Sequence, residues 1–369
     1  MNQPHPELAR ESSQRALRYQ LLPSSDPSGL SKKDFQTDQD VRWCPGCGDY
    51  SILAQVQKVM PTLGIPKEDI VVVSGIGCSS RFPYYMNTYG LHTIHGRAPA
   101  IATGIKSLRP ELSVWMITGD GDALSIGGNH LIHLLRRNVD IKVILFNNRI
   151  YGLTKGQYSP TSEQGKQTKS TPLGSIEQPF NPLSLALAAQ ASFIARSIDV
   201  EPAHLQETLK AAAAHRGTAL IEVFQNCNIF NDGAFAEVTD RKQKLARQLR
   251  LTAGQPARFG ASGELGLIFN PARLTFEVVQ VDEVGVEALY VHDPSNRHAA
   301  QLLVDLPFPE YPAPVGVVYQ AERPTYDRAL QDQVELGMRR HAGVDADAPL
   351  PPRPPLQALL NGGETWVVD

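Results

Sequence analysis

Residues 112–148 read LSVWMITGDGDALSIGGNHLIHLLRRNVDIKVILFNN, and this stretch decides the fold. Leu112 to Thr118 is an apolar run of strand length that ends in Gly119-Asp120-Gly121. Gly127 to Asn138 places apolar residues at helical spacing. Ile141 to Phe146 is a second apolar run, closed by Asn147-Asn148. Strands that are apolar along their whole length are covered on both faces, as in a parallel sheet. One helix between two such strands makes a single right-handed crossover. Both strand ends then lie on one edge of the sheet.

Outward from this unit the pattern repeats. Asp69 to Ser74 (DIVVVS) leads into Gly75-Ile76-Gly77-Cys78, and Ala219 to Phe224 (ALIEVF) leads into Gln225-Asn226-Cys227. Ser51 to Met60, Asn181 to Gln190 and Glu201 to His215 read as helices. The expected class is α/β, with a doubly wound, mostly parallel sheet. Ligands gather beyond the carboxyl ends of such strands, where these polar motifs fall. Residues 155–180 are rich in Gly, Ser, Thr and Pro and predict a long loop of the functional kind. Thr275 to Val281 alternates like a half-buried strand, Asp327 to His341 reads as a helix, and Ala348 to Pro355 is a stiff proline-rich segment. The expected parts are an arm at 1–40 with at most one short helix, a patterned domain at 41–250, and an extension at 251–369 that packs on a partner.

A formal net charge of −3 leaves no basic footprint, so nucleic acid is not an expected partner. No apolar run approaches the roughly 18 residues of a membrane helix. The opening MNQPHPELARESSQRALRYQ lacks the apolar core of a secretory signal. The expected compartment is the cytoplasm, where thiols stay reduced. The 4 cysteines then read as metal ligands, buried thiols or redox groups before disulfides.

Cys44-Pro-Gly-Cys47 is a turn that can present two thiolates to one metal centre; Cys78 and Cys227 are single and distant. Structural zinc sites usually bring two short pairs. One pair and two single cysteines suit a [4Fe–4S] cluster at least as well. A lone zinc-like or redox pair with two buried thiols is the other reading, and the residues alone leave both open. At the GDG and NN motifs, Asp120 and Asn148 can converge on one ion. The chemistry fits Mg²⁺ holding a diphosphate: hard oxygen ligands, glycines that admit phosphate close to the backbone, and a helix start that favours an anion. His130 and His133, three apart on a helix, read as packing residues rather than metal ligands.

In combination these motifs resemble the β subunits of 2-oxoacid:ferredoxin oxidoreductases, most nearly those for 2-oxoglutarate. The GDG–NN pair looks like a thiamine diphosphate motif. Around it lie Cys44-Pro-Gly-Cys47, GIGCSS at 75–80, HGRA at 95–98, GDALSIGGNH at 121–130 and YGLTKGQYSPTS at 151–162. The resemblance covers roughly residues 40–240. It implies that Cys44, Cys47, Cys78 and Cys227 hold a [4Fe–4S] cluster. It implies that Asp120, Asn148 and the carbonyl of Ile150 hold Mg²⁺. Ile76, Gly77, Cys78 and Ser79 would line the thiamine, Gly121, Asp122 and Gly152 would lie near its diphosphate, and His95 would be a further cofactor contact.

The implied reaction is oxidative decarboxylation of a 2-oxoacid with coenzyme A. For 2-oxoglutarate the products are succinyl-CoA and carbon dioxide. Electrons pass singly through the cluster to ferredoxin, and the reaction can run in reverse as a carboxylation. Pyruvate or another 2-oxoacid is the alternative substrate, and a thiamine decarboxylase subunit without electron transfer is the alternative activity. The family activates thiamine with a glutamate from another domain, and this chain has one diphosphate-type domain. A partner α subunit is therefore expected to supply that glutamate, in an αβ or (αβ)2 assembly. A second carboxylate on the substrate needs a cation. Lys155 is the expected one, and Arg81 is the other cation nearby.

Overall fold

The computed structural model describes residues 26–345 and 348–349. Its main sheet has eight strands: β1 (Ile70–Ser74), β2 (Tyr89–His92), β3 (Ser113–Gly119), β4 (Ile141–Asn147), β5 (Phe193–Ile198), β6 (Ala219–Phe224), β7 (Gln248–Arg250) and β11 (Ala313–Gln320). The order is β2-β1-β3-β4-β6-β5-β11-β7. The first six are parallel to their neighbours; β11 runs antiparallel to β5, and β7 pairs parallel with β11. Strands β8 (Arg258–Phe259), β9 (Leu265–Asn270) and β10 (Thr275–Gln280) form a separate antiparallel sheet.

Alternation along the central strands divides the core in two. Val71, Val73, Val114, Met116, Val143 and Leu145 face one layer. That layer holds α2 (Ala98–Leu108), α4 (Gly128–Arg137) and α5 (Pro182–Ala188). Ile70, Val72, Trp115, Ile117, Ile144 and Phe146 face the other, where α1 (Asp49–Val59) and α6 (Pro202–Ala214) lie. Both faces are buried, so strand residues are apolar at every position. The crossover expected between residues 112 and 148 is present: β3 and β4 are adjacent and parallel, with Gly119 opposite Phe146.

The expected helices and strands appear within one or two residues of their predicted ends. The edge strand β2, helix α2 and strands β5 and β11 were not anticipated. Tyr89–His92 is exposed at every residue, so it has no buried face to pattern it. The segment after residue 250 supplies β11 to the main sheet, and Leu267 and Phe276 of the small sheet pack into the first core layer. That segment is thus joined to the domain before it, and its packing on a partner stays a proposal. Of the arm, residues 1–25 lie outside the described residues. Lys32–Phe35 forms a 3-10 turn whose Phe35 is fully buried. Most of the proline-rich segment is likewise outside the described residues. Among the described residues no helix is long and apolar enough to cross a membrane.

Candidate functional site

The loops that follow β1, β3 and β4 border an open cavity of about 560 Å³. Ile76, Gly77, Cys78 and Ser79 enter it from β1, and Asp120, Gly121 and Asp122 from β3. Asn148, Ile150, Tyr151 and Gly152 come from β4, and His95 from the loop after β2. The carboxyl edge of the sheet thus brings together eleven residues that the sequence pointed to for cofactor or magnesium. The volume is within the range that holds a cofactor-sized ligand.

Asp122 organises the walls. Its Oδ1 accepts from the Ile76 amide at 3.1 Å and the Gly96 amide at 2.7 Å, with His95 Nδ1 also 2.7 Å away. Its Oδ2 accepts from the Thr118 hydroxyl at 2.8 Å. The side chain is 2% exposed. One carboxylate therefore ties the loops after β1 and β2 to the end of β3. The resemblance placed this residue near a diphosphate; the geometry gives it an internal scaffolding task as well. The glycines around it are sterically required. A Cβ on Gly75 would stand 1.8 Å from Asp122 Oδ2, and one on Gly121 would stand 2.2 Å from the Tyr151 ring. Tyr151 in turn donates its hydroxyl to the Gly121 carbonyl at 3.0 Å.

Asp120 is buried, which pushes its carboxyl up; the hydroxyls of Ser159 and Thr161 pull it back. Helix α3 begins at Asp120 itself and runs only to Leu124. Asn148 Nδ2 donates to Gln225 Oε1 at 2.8 Å, and its Oδ1 accepts from the Ile150 amide at 3.2 Å. The set of one carboxylate, one amide oxygen and one backbone carbonyl is the hard-oxygen chemistry Mg²⁺ takes. The residues present therefore fit that ion.

The four cysteines come from three loops on the same edge. The Cys44–Cys47 turn is pinned to the loop after β6: the Gly48 amide donates to the Asn226 carbonyl at 3.1 Å, and Asn228 donates to the Pro45 carbonyl at 2.7 Å. Gln225 Nε2 lies 3.2 Å from the Cys47 sulfur. Trp43 donates its indole N–H to the Cys78 carbonyl at 2.7 Å. A Cβ on Gly152 would stand 3.4 Å from the Cys78 sulfur and 3.6 Å from that of Cys227, so those two sulfurs flank one glycine. Burial pushes the Cys78 thiol up to about 12, with Asp49 and the thiols of Cys227 and Cys44 adding to it and Arg81 opposing. Burial likewise raises Cys47, with Asp49, Cys227 and Cys78 adding. Thiols crowded in this way ionise when a cationic centre compensates them.

Among the described residues, no three thiols, imidazoles or carboxylates converge tightly enough for a single metal ion. A tetrahedral zinc would need sulfurs ~3.8 Å apart around one point. A four-iron cube carries a thiolate at each of four corners and needs sulfurs spread around a volume. Two buried carboxylates, missed in the sequence, stand behind the thiols. Asp49 is pushed up to about 7 by burial and then by Asp199, and Asp199 is pushed up to about 6 by burial. Asp49 opens α1 and Asp199 directly follows β5, a strand the sequence did not mark, so no recognised motif signalled them.

Lys155 is exposed and is not among the residues lining the cavity, although its loop borders it. Arg81 is partly buried and close enough to Cys78 to favour its thiolate. His130 and His133 lie away from the cavity lining, on α4.

This fold and cavity define a thiamine diphosphate-type enzyme domain. The thiamine pyrophosphate enzyme family, C-terminal TPP binding domain, matches residues 75–223. The chain is 52% identical over 342 residues to a 2-oxoglutarate oxidoreductase subunit KorB of Mycobacterium tuberculosis, covering 91% of this chain and 88% of that protein. It is 48% identical over 212 residues to the β subunit of a 2-oxoacid:ferredoxin oxidoreductase of Aeropyrum pernix, covering 57% and 67%. A solved 2-oxoglutarate:ferredoxin oxidoreductase from Magnetococcus marinus, with 2-oxoglutarate, coenzyme A and succinyl-CoA bound, superposes with a TM-score of 0.69. The two are 33% identical, and the match covers 87% of this chain and 94% of that one. The chain belongs to the β subunits of the 2-oxoacid:ferredoxin oxidoreductases.

Proposed function

We propose that this chain is the cofactor-bearing subunit of a cytoplasmic, coenzyme A-dependent 2-oxoglutarate:ferredoxin oxidoreductase. One observation carries the reading: Cys78 lines the cavity and also flanks Gly152 together with Cys227. A redox centre held by these thiols would adjoin the cavity contents, as electron transfer requires. Asp120, Asn148 and the Ile150 carbonyl would hold Mg²⁺ against a diphosphate, and Cys44, Cys47, Cys78 and Cys227 would hold the [4Fe–4S] cluster. When bound, thiamine diphosphate supplies the electron sink for decarboxylation and the cluster a one-electron acceptor.

The protein's own contribution is positional. Asp122 fixes Ile76 and His95 relative to each other, so the cavity walls keep their spacing without rearrangement. Gly121 keeps the backbone slim where an added Cβ would strike Tyr151, and at Gly152 an added Cβ would just touch the thiols. Ile94, Ile126 and Leu153 leave apolar surface exposed at or beside the cavity, which supports a partner closing it. That partner, the α subunit, would supply the activating glutamate in an αβ or (αβ)2 assembly. Lys155 is proposed as the cation for the far carboxylate of the substrate, its exposure being relieved by the same partner. Ferredoxin would take the electrons.

The test is metal and sulfide analysis of the anaerobically purified complex, with 2-oxoglutarate-dependent ferredoxin reduction. About four irons and four sulfides per β chain are expected. Zinc in place of iron, or full activity from this chain alone, would overturn the reading.

A further inference from the structure

The loop after β4 leaves the cavity at Gln157 and folds back over both ligand-bearing strand ends. The Ser159 and Thr161 hydroxyls each lie 2.6 Å from Asp120 Oδ2. Thr161 Oγ1 is also 2.9 Å from Asn147 Oδ1. One hydroxyl has one proton to donate. The shorter contact, to the carboxylate, is the stronger acceptor and takes it. Asn147 Oδ1 keeps a partner in the Arg149 amide at 3.3 Å. Ser162 closes the turn, its amide donating to the Ser159 carbonyl at 3.0 Å. Its hydroxyl donates to the Arg149 carbonyl at 2.6 Å, between Asn148 and Ile150. All three hydroxyl residues are 2–3% exposed. One four-residue turn thus grips Asp120 just past β3 and the Asn148–Ile150 segment just past β4, and both of its hydroxyl bonds to Asp120 use Oδ2 rather than Oδ1.

We propose that the Ser159–Ser162 turn is a clasp whose hydroxyls are positioning residues: they fix Asp120 and the Asn148–Ile150 segment at the spacing a divalent cation needs, and so couple the order of the 155–180 loop to cofactor loading. The proposal rests on the reading of Asp120 and Asn148 as magnesium ligands. Linkage makes the coupling reciprocal. If the clasp strengthens metal binding, then metal and diphosphate must tighten the loop by the same factor. The loop carries its own reporter, since Lys169 beyond the clasp is an exposed trypsin site.

The experiment uses the assembled complex. Mg²⁺ affinity is measured by calorimetry in the presence of thiamine diphosphate, and loop cutting by trypsin with and without Mg²⁺–thiamine diphosphate. Thr161→Val keeps the shape and removes the hydroxyl. It is expected to weaken Mg²⁺ about tenfold or more, the loss of one hydrogen bond to a charged group. It is also expected to abolish the protection of Lys169 on loading. Thr161→Ser should recover both within about threefold, because the bond and not the methyl is at issue. Ser159→Ala, which removes the other donor to the same oxygen, gives an independent reading if Thr161→Val does not assemble. A lower melting temperature without metal but unchanged Mg²⁺ affinity in both Thr161→Val and Ser159→Ala would show a merely structural turn and overturn the proposal. So would an equal deficit in Thr161→Ser and Thr161→Val. Failure of the unaltered complex to bind thiamine diphosphate with Mg²⁺ would instead overturn the functional reading itself.

Discussion

Replacing Asp122 tests whether one carboxylate holds the cavity walls together. Asp122→Ala removes the acceptor for four donors. The Gly96 amide and the Thr118 hydroxyl are buried and would be left without that partner, at roughly 1–3 kcal/mol each. The Ile76 amide and the His95 ring are partly exposed and can turn to water, so they add little. The sum, about 2–6 kcal/mol, is a large share of the 5–15 kcal/mol that stabilises a typical domain. Asp122→Asn keeps an oxygen for the three donors at Oδ1 and sets an amide against the Thr118 hydroxyl, which can rotate to accept. It loses only charge assistance, so its cost should be about 1–2 kcal/mol. The assay compares unfolding midpoints of the complex at fixed protein and cofactor concentration, because ligand and partner both shift them. It also compares thiamine diphosphate affinity, since Ile76 and His95 line the cavity. The order expected is wild type, then Asn, then Ala, in both measurements. Two neutral variants, or an Asn variant as damaged as the Ala variant, would refute the reasoning.

Three further outcomes follow from other parts of the chain. Gly121→Ala drives a methyl to 2.2 Å from the Tyr151 ring, so Tyr151 must leave its bond to the Gly121 carbonyl; thiamine diphosphate should bind at least tenfold more weakly, and unchanged binding in a titration would show the site to be looser than described. His215 is held down to about 4, chiefly by burial and then by Lys142, so the unfolded chain binds the extra proton between about pH 6.5 and 4. Stability from this residue is present above pH 6.5 and lost as pH falls towards 4, by up to about 3 kcal/mol. In urea titrations across that window His215→Gln should show a flatter pH dependence than wild type, and parallel curves would contradict the assignment. Lys155→Met should raise the KM for 2-oxoglutarate about tenfold or more while leaving pyruvate within about threefold, as one charge-assisted contact would dictate; equal effects on both substrates would remove Lys155 from the specificity argument.

Legibility in the sequence followed unbroken apolar runs rather than burial alone: β5 is buried at every residue, but Arg196 and Ser197 interrupt its run and hid it. β1, β3, β4 and β6 are covered on both faces, so their apolar runs announced themselves. The edge strand β2 is exposed throughout, and β11 comes from a stretch whose pattern carries Pro and Gly, so neither had a local mark. Lys155 shows the limit of sequence distance at the site. It lies only seven residues past Asn148, yet its backbone has φ +76 and its side chain is exposed outside the cavity lining. Loop geometry, which spacing does not report, put it there.

The sequence by itself determined the class of sheet, the edge where ligands gather, and the residue types that suit Mg²⁺ and thiolate chemistry. It could do so because strand periodicity and strand-end motifs are local properties. Only the tertiary structure decided which donors share one acceptor. Asp122 meets Ile76 and Gly96 across gaps of 46 and 26 residues, and Asp120 meets Ser159 and Thr161 across 39 and 41. Contacts of that range are set by the order of strands in the sheet and the path of one long loop. No window of sequence contains them.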